Sequence, residues 1–226
     1  MKKYAVIVAA GSGSRMGKDI PKQFLDLAGK PLIYYTVDTF LAAYPDLQII
    51  LVVASKYMKW GHDIANSFSE PSRITPAEGG NTRFQSVKNG LSHVHEHSVV
   101  FVHDGVRCLI SGHLIHRCFE QALLKGSAVP TVATTETVRL LEGSAHRMVD
   151  RKLVRMVQTP QTFLSTILLK AFECEEEEFF TDEATVVEHS GQEVHLIEGE
   201  FTNIKITRPQ DLAMAEHILK LQGRGM

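Results

Sequence analysis

The feature that most constrains this chain is an apolar, β-branched run that stops abruptly at a glycine turn. Tyr4-Ala-Val-Ile-Val-Ala-Ala10 is continuous, and Gly11-Ser-Gly-Ser-Arg-Met-Gly17 follows at once. A short segment that is apolar on both faces must be covered on both faces, as a central strand of a parallel sheet is. The same pattern returns at 48–54 and 99–104, and more weakly at 74–77, where Gly79-Gly80 closes it. Helical spacing occupies 31–43, ended by Pro45, then roughly 56–68, 82–94 and 111–124. Strands alternating with helices of this length predict βαβ units, an α/β class and a mostly parallel sheet with right-handed crossovers. Ligands in such sheets bind beyond the carboxyl ends of the strands. The unusual residues sit at those ends: Gly11 to Arg15, Gly79 to Arg83 and His103 to Arg107.

After Lys125 the pattern changes. A strand is expected at 128–134, and 137–142 and 146–151 flank the turn signal Gly143-Ser144, which predicts a hairpin projecting from the sheet. A short helix at 181–189 stops at Gly191. Strands are expected at 193–197 and 203–207, and a last helix at 209–221 has Pro209 in its first turn. Two polar tracts read as solvated helix ends: the alternating His93, His95 and His97, and the acidic run from Glu175 to Glu178.

At 226 residues the chain fits one large domain. Its 24 basic and 26 acidic residues give a formal charge of −2, which excludes a protein that coats nucleic acid and leaves room for a local basic pocket. No apolar run approaches the roughly 20 residues needed to span a bilayer, and no small-residue cleavage site follows Lys2-Lys3. Cys108, Cys118 and Cys174 are odd in number and lack a CxxC spacing, so a reducing cytoplasm is the expected home.

Gly11 and Gly13 let backbone N–H groups approach an anion closely. The spacing is GxGxxxG, and the second strand ends in Ala54-Ser55-Lys56 with no acidic residue for a ribose diol, which disfavours a dinucleotide site and an NAD oxidoreductase. Gly17-Lys18 precedes Asp19 and Gly29-Lys30 precedes Pro31, so neither is a Walker A loop. What remains is a glycine turn loaded with Arg15, Lys18 and Lys22, the pattern expected around a polyphosphate. Asp104, at the end of a buried strand, would suit Mg²⁺ held jointly with phosphate oxygens, or would cap the next helix. Cys108 has no evident partner base and is not expected to be a nucleophile.

These residues carry a resemblance. Val8-Ala-Ala-Gly-Ser-Gly-Ser-Arg-Met-Gly17 and Pro21-Lys-Gln-Phe24 resemble the sugar-phosphate cytidylyltransferases of the nucleotidyltransferase superfamily. Gly79-Gly-Asn-Thr-Arg83 with Ser86-Val87, His103-Asp-Gly-Val-Arg107, Thr159-Pro-Gln161, Thr181-Asp-Glu-Ala184 and Asn203-Ile-Lys-Ile-Thr-Arg-Pro209 extend it in the same order over nearly the whole chain. The likeness is greatest to members that act on 2-C-methyl-D-erythritol 4-phosphate in the non-mevalonate isoprenoid route. Members acting on ribitol 5-phosphate come next, and a nucleotide-binding module without turnover is the alternative of another class.

The resemblance implies a Rossmann-like, mostly parallel sheet flanked by helices, with a projecting β-hairpin arm for dimerisation. It implies one nucleotidyltransferase domain over 1–226 with the arm at about 136–157. The implied reaction transfers CMP from CTP to methylerythritol phosphate, releases pyrophosphate and forms 4-diphosphocytidyl-2-C-methyl-D-erythritol, with Mg²⁺ or another divalent cation. By motif position Arg15 and Lys22 would stabilise the pentavalent phosphorus, and Arg151 and Lys205 would orient the attacking phosphate. Ala9, Ala10, Gly11 and Gly13 would cradle the triphosphate, and Gly80, Asn81 and Ser86 would lie against cytosine and ribose. Asp104 would sit near the metal, and Asp104, Arg107, Thr137, Arg151, Thr181 and Lys205 would surround the second substrate. The implied homodimer places Thr137 and Arg151 in the partner's site. Neither nucleic acid nor membrane is an expected partner. Two departures are Gly105, where the family commonly has Ala, and Cys108, where it commonly has Pro and thereby a fixed φ beside Arg107.

Overall fold

The computed structural model describes residues 1–11, 20–95 and 97–224. Gly13, Arg15 and Lys18, all expected at the triphosphate, lie outside the described residues. The chain begins with β1 (Lys2–Ala9), whose Ala5, Val6 and Ile7 are fully buried. A 3₁₀ turn (Lys22–Phe24) and the two-residue strands β2 (Asp26–Leu27) and β3 (Lys30–Pro31) lead into α1 (Leu32–Ala43). There follow β4 (Leu47–Val53), α2 (Met58–Asn66), β5 (Ile74–Glu78), α3 (Arg83–Leu91), β6 (Ser98–Asp104) and α4 (Gly112–Lys125). These agree with the expected alternation to within a few residues. Two predicted helix starts are marked by N-caps: the side chains of Thr82 and Ser111 accept from the N–H groups of Gln85 and Leu114.

The second half contains β7 (Ser127–Ala133), the hairpin β8 (Val138–Glu142) and β9 (Ala145–Val149), β10 (Arg155–Val157), β11 (Gln161–Leu164), α5 (Ser165–Ala171), α6 (Glu183–His189), β12 (Leu196–Glu198) and α7 (Pro209–Leu221). β5, β4, β1 and β6 lie side by side and parallel, in that order. β11 then adds antiparallel to β6 and bridges to β7, which also carries β10 antiparallel and β12 parallel. The hairpin β8–β9 forms a separate two-stranded sheet.

Alternate side chains of the central strands enter two cores. Ala5, Ile7, Ile49, Leu51 and Phe101 pack with Ile33, Val37 and Phe40 of α1 and Leu114 and Ile115 of α4. Val6, Ile50, Val52, Val100 and Val102 pack on the other face with Val87 of α3, Leu168 of α5 and Val186 of α6. This is the period-two division that a strand covered on both sides requires. A third cluster, with Leu27, Leu32, Tyr35, Cys108, Ile206, Ala215 and Leu219, seats α7.

Two expectations need correction. The segment 203–207 is not a strand: Ile206 N–H bonds to Val106 O at 3.0 Å, while Asn203 reaches Thr159 O through its side chain. Its apolar alternation arises because Ile206 enters the α7 cluster while exposed Lys205 turns to a cavity. The strand expected at 193–197 is confined to 196–198. β10, β11 and α5 were not foreseen. β11 is buried yet polar, with Gln161 and Thr162 at 1% and 0% exposure, so an apolar pattern does not announce it. His93, His95 and His97 are exposed beyond the end of α3, and no metal-binding cluster of three occurs among the described residues. The acidic run is exposed, beyond the end of α5.

Candidate active site

The parallel order β5-β4-β1-β6 puts a reversal of winding at β1: the chain moves outward through β4 and β5, then returns to β6 on the other side. Crevices at such points are where open α/β sheets bind ligands. A cavity of about 570 Å³ opens there, walled by the carboxyl end of β1, the loop from β5 into α3, the end of β6, and Lys22 and Lys205.

The first wall is backbone. Val8 through Gly11 line the cavity, and buried Gln23 holds them in place by donating through Nε2 to Ala9 O at 2.6 Å and Gly11 O at 3.1 Å. The second wall is the glycine loop. Gly79 N–H bonds to Val53 O at 2.8 Å, and Gly80 N–H to Ser86 Oγ at 3.1 Å. Ser86 is nearly buried and donates to Thr82 O at 2.8 Å, so it shapes the loop as well as lining the cavity. Asn81 is exposed, and its N–H is held by Gln85 Oε1 at 3.1 Å. A Cβ on Gly79 would sit 2.4 Å from Ala10 Cβ, which has no side-chain freedom to yield. Gly79→Ala is therefore expected to displace one of the two walls and, for the CTP site that the resemblance implies, to weaken nucleotide binding about tenfold. Titration of the variant with CTP checks this, and unchanged affinity would show that the wall spacing is not critical.

The third wall is charged. Asp104 ends β6 at 7% exposure. Its Oδ2 lies 2.8 Å from Lys205 Nζ and 3.5 Å from Arg107 Nε, and its Oδ1 lies 3.5 Å from Arg83 Nη2. Burial alone would push this carboxyl up, but Arg83, Lys205 and Arg107 hold it well below the ordinary carboxylate range. Arg83 also grips buried Glu183 with both prongs, the second at 3.0 Å. Burial works against its charge, yet Glu183 and Asp104 raise its pKa. Arg107 donates through Nη1 to Asn203 O at 2.8 Å, so its aim does not need a proline at 108. Asp104 does not cap α4, since Ser111 does. Lys22, half-buried, donates to Ile206 O at 3.0 Å, which brings its ammonium beside the segment that carries Lys205.

A hydrogen-bond relay stiffens this wall from behind. Asp104 N–H donates to Thr159 Oγ1 at 3.1 Å, which donates to His103 Nδ1 at 3.0 Å, and His103 Nε2–H donates to Arg107 O at 3.2 Å. The relay uses a neutral imidazole, and complete burial pushes His103 down to about 3. A histidine whose folded value is depressed binds fewer protons folded than unfolded. Its contribution to stability is therefore lost as pH falls from about 6.5 towards about 3. Thermal unfolding of the parent and of His103→Gln across that range is expected to show a shallower acid-side loss in the variant. Parallel curves would remove His103 from the acid response.

Not every expected residue reaches the cavity. Thr181 is exposed just before α6, and Thr137 is exposed at the base of the hairpin. Arg151 is exposed and donates to Thr135 O at 2.8 Å, away from the cavity of its own chain. The glycine at 105 fits a close contact: a Cβ there would lie 3.2 Å from Val8 O and from Ala9 Cβ. Cys108 is fully buried, and burial pushes its thiol up to about 12, as expected of a packing residue rather than a nucleophile. Gln23, Arg83, Thr159 and Glu183 were given no role by the sequence, although each lies inside a motif that carries the resemblance.

Residues 4–221 match the family model described as 2-C-methyl-D-erythritol 4-phosphate cytidylyltransferase. Curated relatives of that name include one from Phocaeicola vulgatus, 42% identical over 97% of this chain and 100% of the relative. Another, from Porphyromonas gingivalis, is 43% identical over 96% of this chain and 98% of the relative. The crystal structure of the Thermus thermophilus protein of the same name is 33% identical, covers 97% of this chain and 100% of its own, and superposes with a TM-score of 0.76. Fold, motif order and length therefore agree, and the chain belongs to the 2-C-methyl-D-erythritol 4-phosphate cytidylyltransferase family.

Proposed function

We propose that this enzyme transfers the CMP unit of CTP to the phosphate of 2-C-methyl-D-erythritol 4-phosphate, releasing pyrophosphate, in isoprenoid precursor biosynthesis. The observation that carries the reading is the convergence of Lys22, Lys205 and Asp104 on one cavity that ends in a glycine loop. Cytosine and ribose lie against Gly80, Asn81 and Ser86, and the triphosphate against Ala9 to Gly11. A phosphate oxygen of the polyol attacks the α-phosphorus, that P–O bond forms, and the bond to the β-phosphate breaks. The nucleophile is already an anion, so no general base is required. The residues position two anions and neutralise charge on the pentavalent centre. Lys22 serves that centre together with Arg15, and Lys205 with Arg151 orients the attacking phosphate. Arg107, expected at the polyol, is not among the residues lining the cavity and serves the site by bracing Asp104 from beside it.

Asp104 is the only acidic residue among the described cavity walls, and its oxygens already face three cations. That donor set does not suit a resident metal. It suits a divalent cation, Mg²⁺ by its affinity for phosphate oxygens, that enters on CTP as part of the substrate. Three unpaired cysteines fit a reducing cytoplasm. Among the described residues no helix is long and apolar enough to cross a membrane.

The arm supports a homodimer. Leu141, Met148 and Leu153 are 75%, 66% and 82% exposed, and a lone two-stranded hairpin is marginal without packing. In this reading Thr137 and Arg151 complete the partner's site. Arg151→Ala is expected to raise KM for methylerythritol phosphate tenfold or more, on the order expected for one lost charge-assisted contact, with KM for CTP little changed. Mixing Arg151→Ala with Lys22→Ala subunits is expected to restore activity, because one of the two hybrid sites is intact. Absence of restoration in confirmed hybrids would place Arg151 in its own chain's site. Pyrophosphate release with CTP and each polyol phosphate in turn tests the function and separates it from action on ribitol 5-phosphate.

A further inference from the structure

Glu183 does not line the cavity, is 1% exposed, and spends its carboxylate on Arg83. It is held from the β11 side. Asp182 accepts from Thr185 N–H at 2.9 Å and from Gln161 Nε2 at 2.8 Å, while Gln161 Oε1 accepts from Ala184 N–H at 2.7 Å. Arg83 therefore has two carboxylates within reach, and it forks onto the rigid one. Asp104 receives only a contact of 3.5 Å on Oδ1, and its Oδ2 stays with Lys205 at 2.8 Å. A planar guanidinium prefers two parallel bonds to one carboxylate, so an Arg83 released from Glu183 would take both oxygens of Asp104.

We propose that Glu183 is a positioning residue for the phosphate-acceptor half of the site: it keeps Arg83 from forking onto both oxygens of Asp104, and so leaves Asp104 Oδ2 to hold Lys205 towards the attacking phosphate. The proposal deepens the cytidylyltransferase reading and rests on it. It also gives the Thr181-Asp-Glu-Ala184 motif a task beyond any contact made by Thr181.

Steady-state kinetics of the full chain test it, with CTP and methylerythritol phosphate varied separately. Glu183→Gln is expected to raise KM for methylerythritol phosphate about tenfold and KM for CTP less than about twofold. Adding Arg83→Gln to that variant removes the competitor for Asp104, and is expected to recover most of the lost KM. Breaking a buried pair can unfold a protein. Glu183→Met, which leaves no carboxylate and no new donor, carries the same expectations if the glutamine variant fails to fold. Equal rises in both KM values, or a double variant no better than the single one, would overturn the proposal and mark the pair as structural. Failure of the parent enzyme to turn over CTP with methylerythritol phosphate would instead overturn the functional reading.

Discussion

Lys22→Ala is expected to lower kcat by about 10² to 10³, the cost of removing one preorganised donor from a developing charge, while CTP affinity falls much less. The reasoning is differential. In the proposed ground state the triphosphate is already met by the backbone of β1's end and by other cations, so one ammonium would add little. In the transition state charge gathers on the equatorial oxygens of the α-phosphorus, and a fixed cation there counts fully. Lys22 is fixed in the required manner: Pro21 leads into its 3₁₀ turn, Gln23 ties that turn to Ala9 and Gly11, and Ile206 O holds the ammonium at 3.0 Å. Single-turnover rates at saturating CTP together with CTP titration check it. A weakened CTP complex with unchanged turnover would make Lys22 a binding residue only.

Lys205→Ala is expected to cost a similar factor of about 10² to 10³, divided between kcat and KM for methylerythritol phosphate. Lys205 is the most exposed member of the charged wall, with 41% of its side chain accessible, and its partner Asp104 is at 10%. An ammonium balanced between a buried carboxylate and open cavity can turn to an incoming phosphate at little cost. Asp104, still flanked by Arg83 and Arg107, remains compensated when it does. Lys205→Arg is expected to recover binding better than turnover, because a planar fork does not reproduce a point charge in that space. If Lys205→Ala altered only CTP binding, the assignment of the two halves of the cavity would be reversed.

The fold was largely legible because its central strands obey one simple rule. The apolar runs around Val6, Ile50 and Val100 are continuous since both faces are covered, and the helices between them keep a clear period. Legibility failed where burial is polar. Gln161 and Thr162 of β11 are buried and polar, Gln158 and Thr159 before it bond through their side chains to Glu200 O and His103, and β10 is only three exposed residues, so neither β10 nor β11 reads as a strand. It failed again at Asn203 to Thr207, whose alternation reflects one wall of a cavity rather than a ladder. Within the site, residue types and motif order named Lys22, Lys205, Arg107 and Asp104, but not Arg83. What they could not give is the pairing: that Glu183 claims Arg83, that His103 and Thr159 brace Asp104 from behind, and that Gln23 sets the backbone wall. Such contacts join residues up to 100 positions apart, and nothing local in the chain encodes them. Arg15 and Gly13 remain expectations drawn from the resemblance.

Pyrophosphate release from CTP by the purified enzyme, measured with methylerythritol phosphate, with ribitol 5-phosphate and with neither, is the most direct trial of the whole reading. Release that depends on methylerythritol phosphate, with a cytidylyl-linked product formed in equal amount, is the predicted result. Nucleotide binding with no release, or release with ribitol 5-phosphate alone, would contradict it.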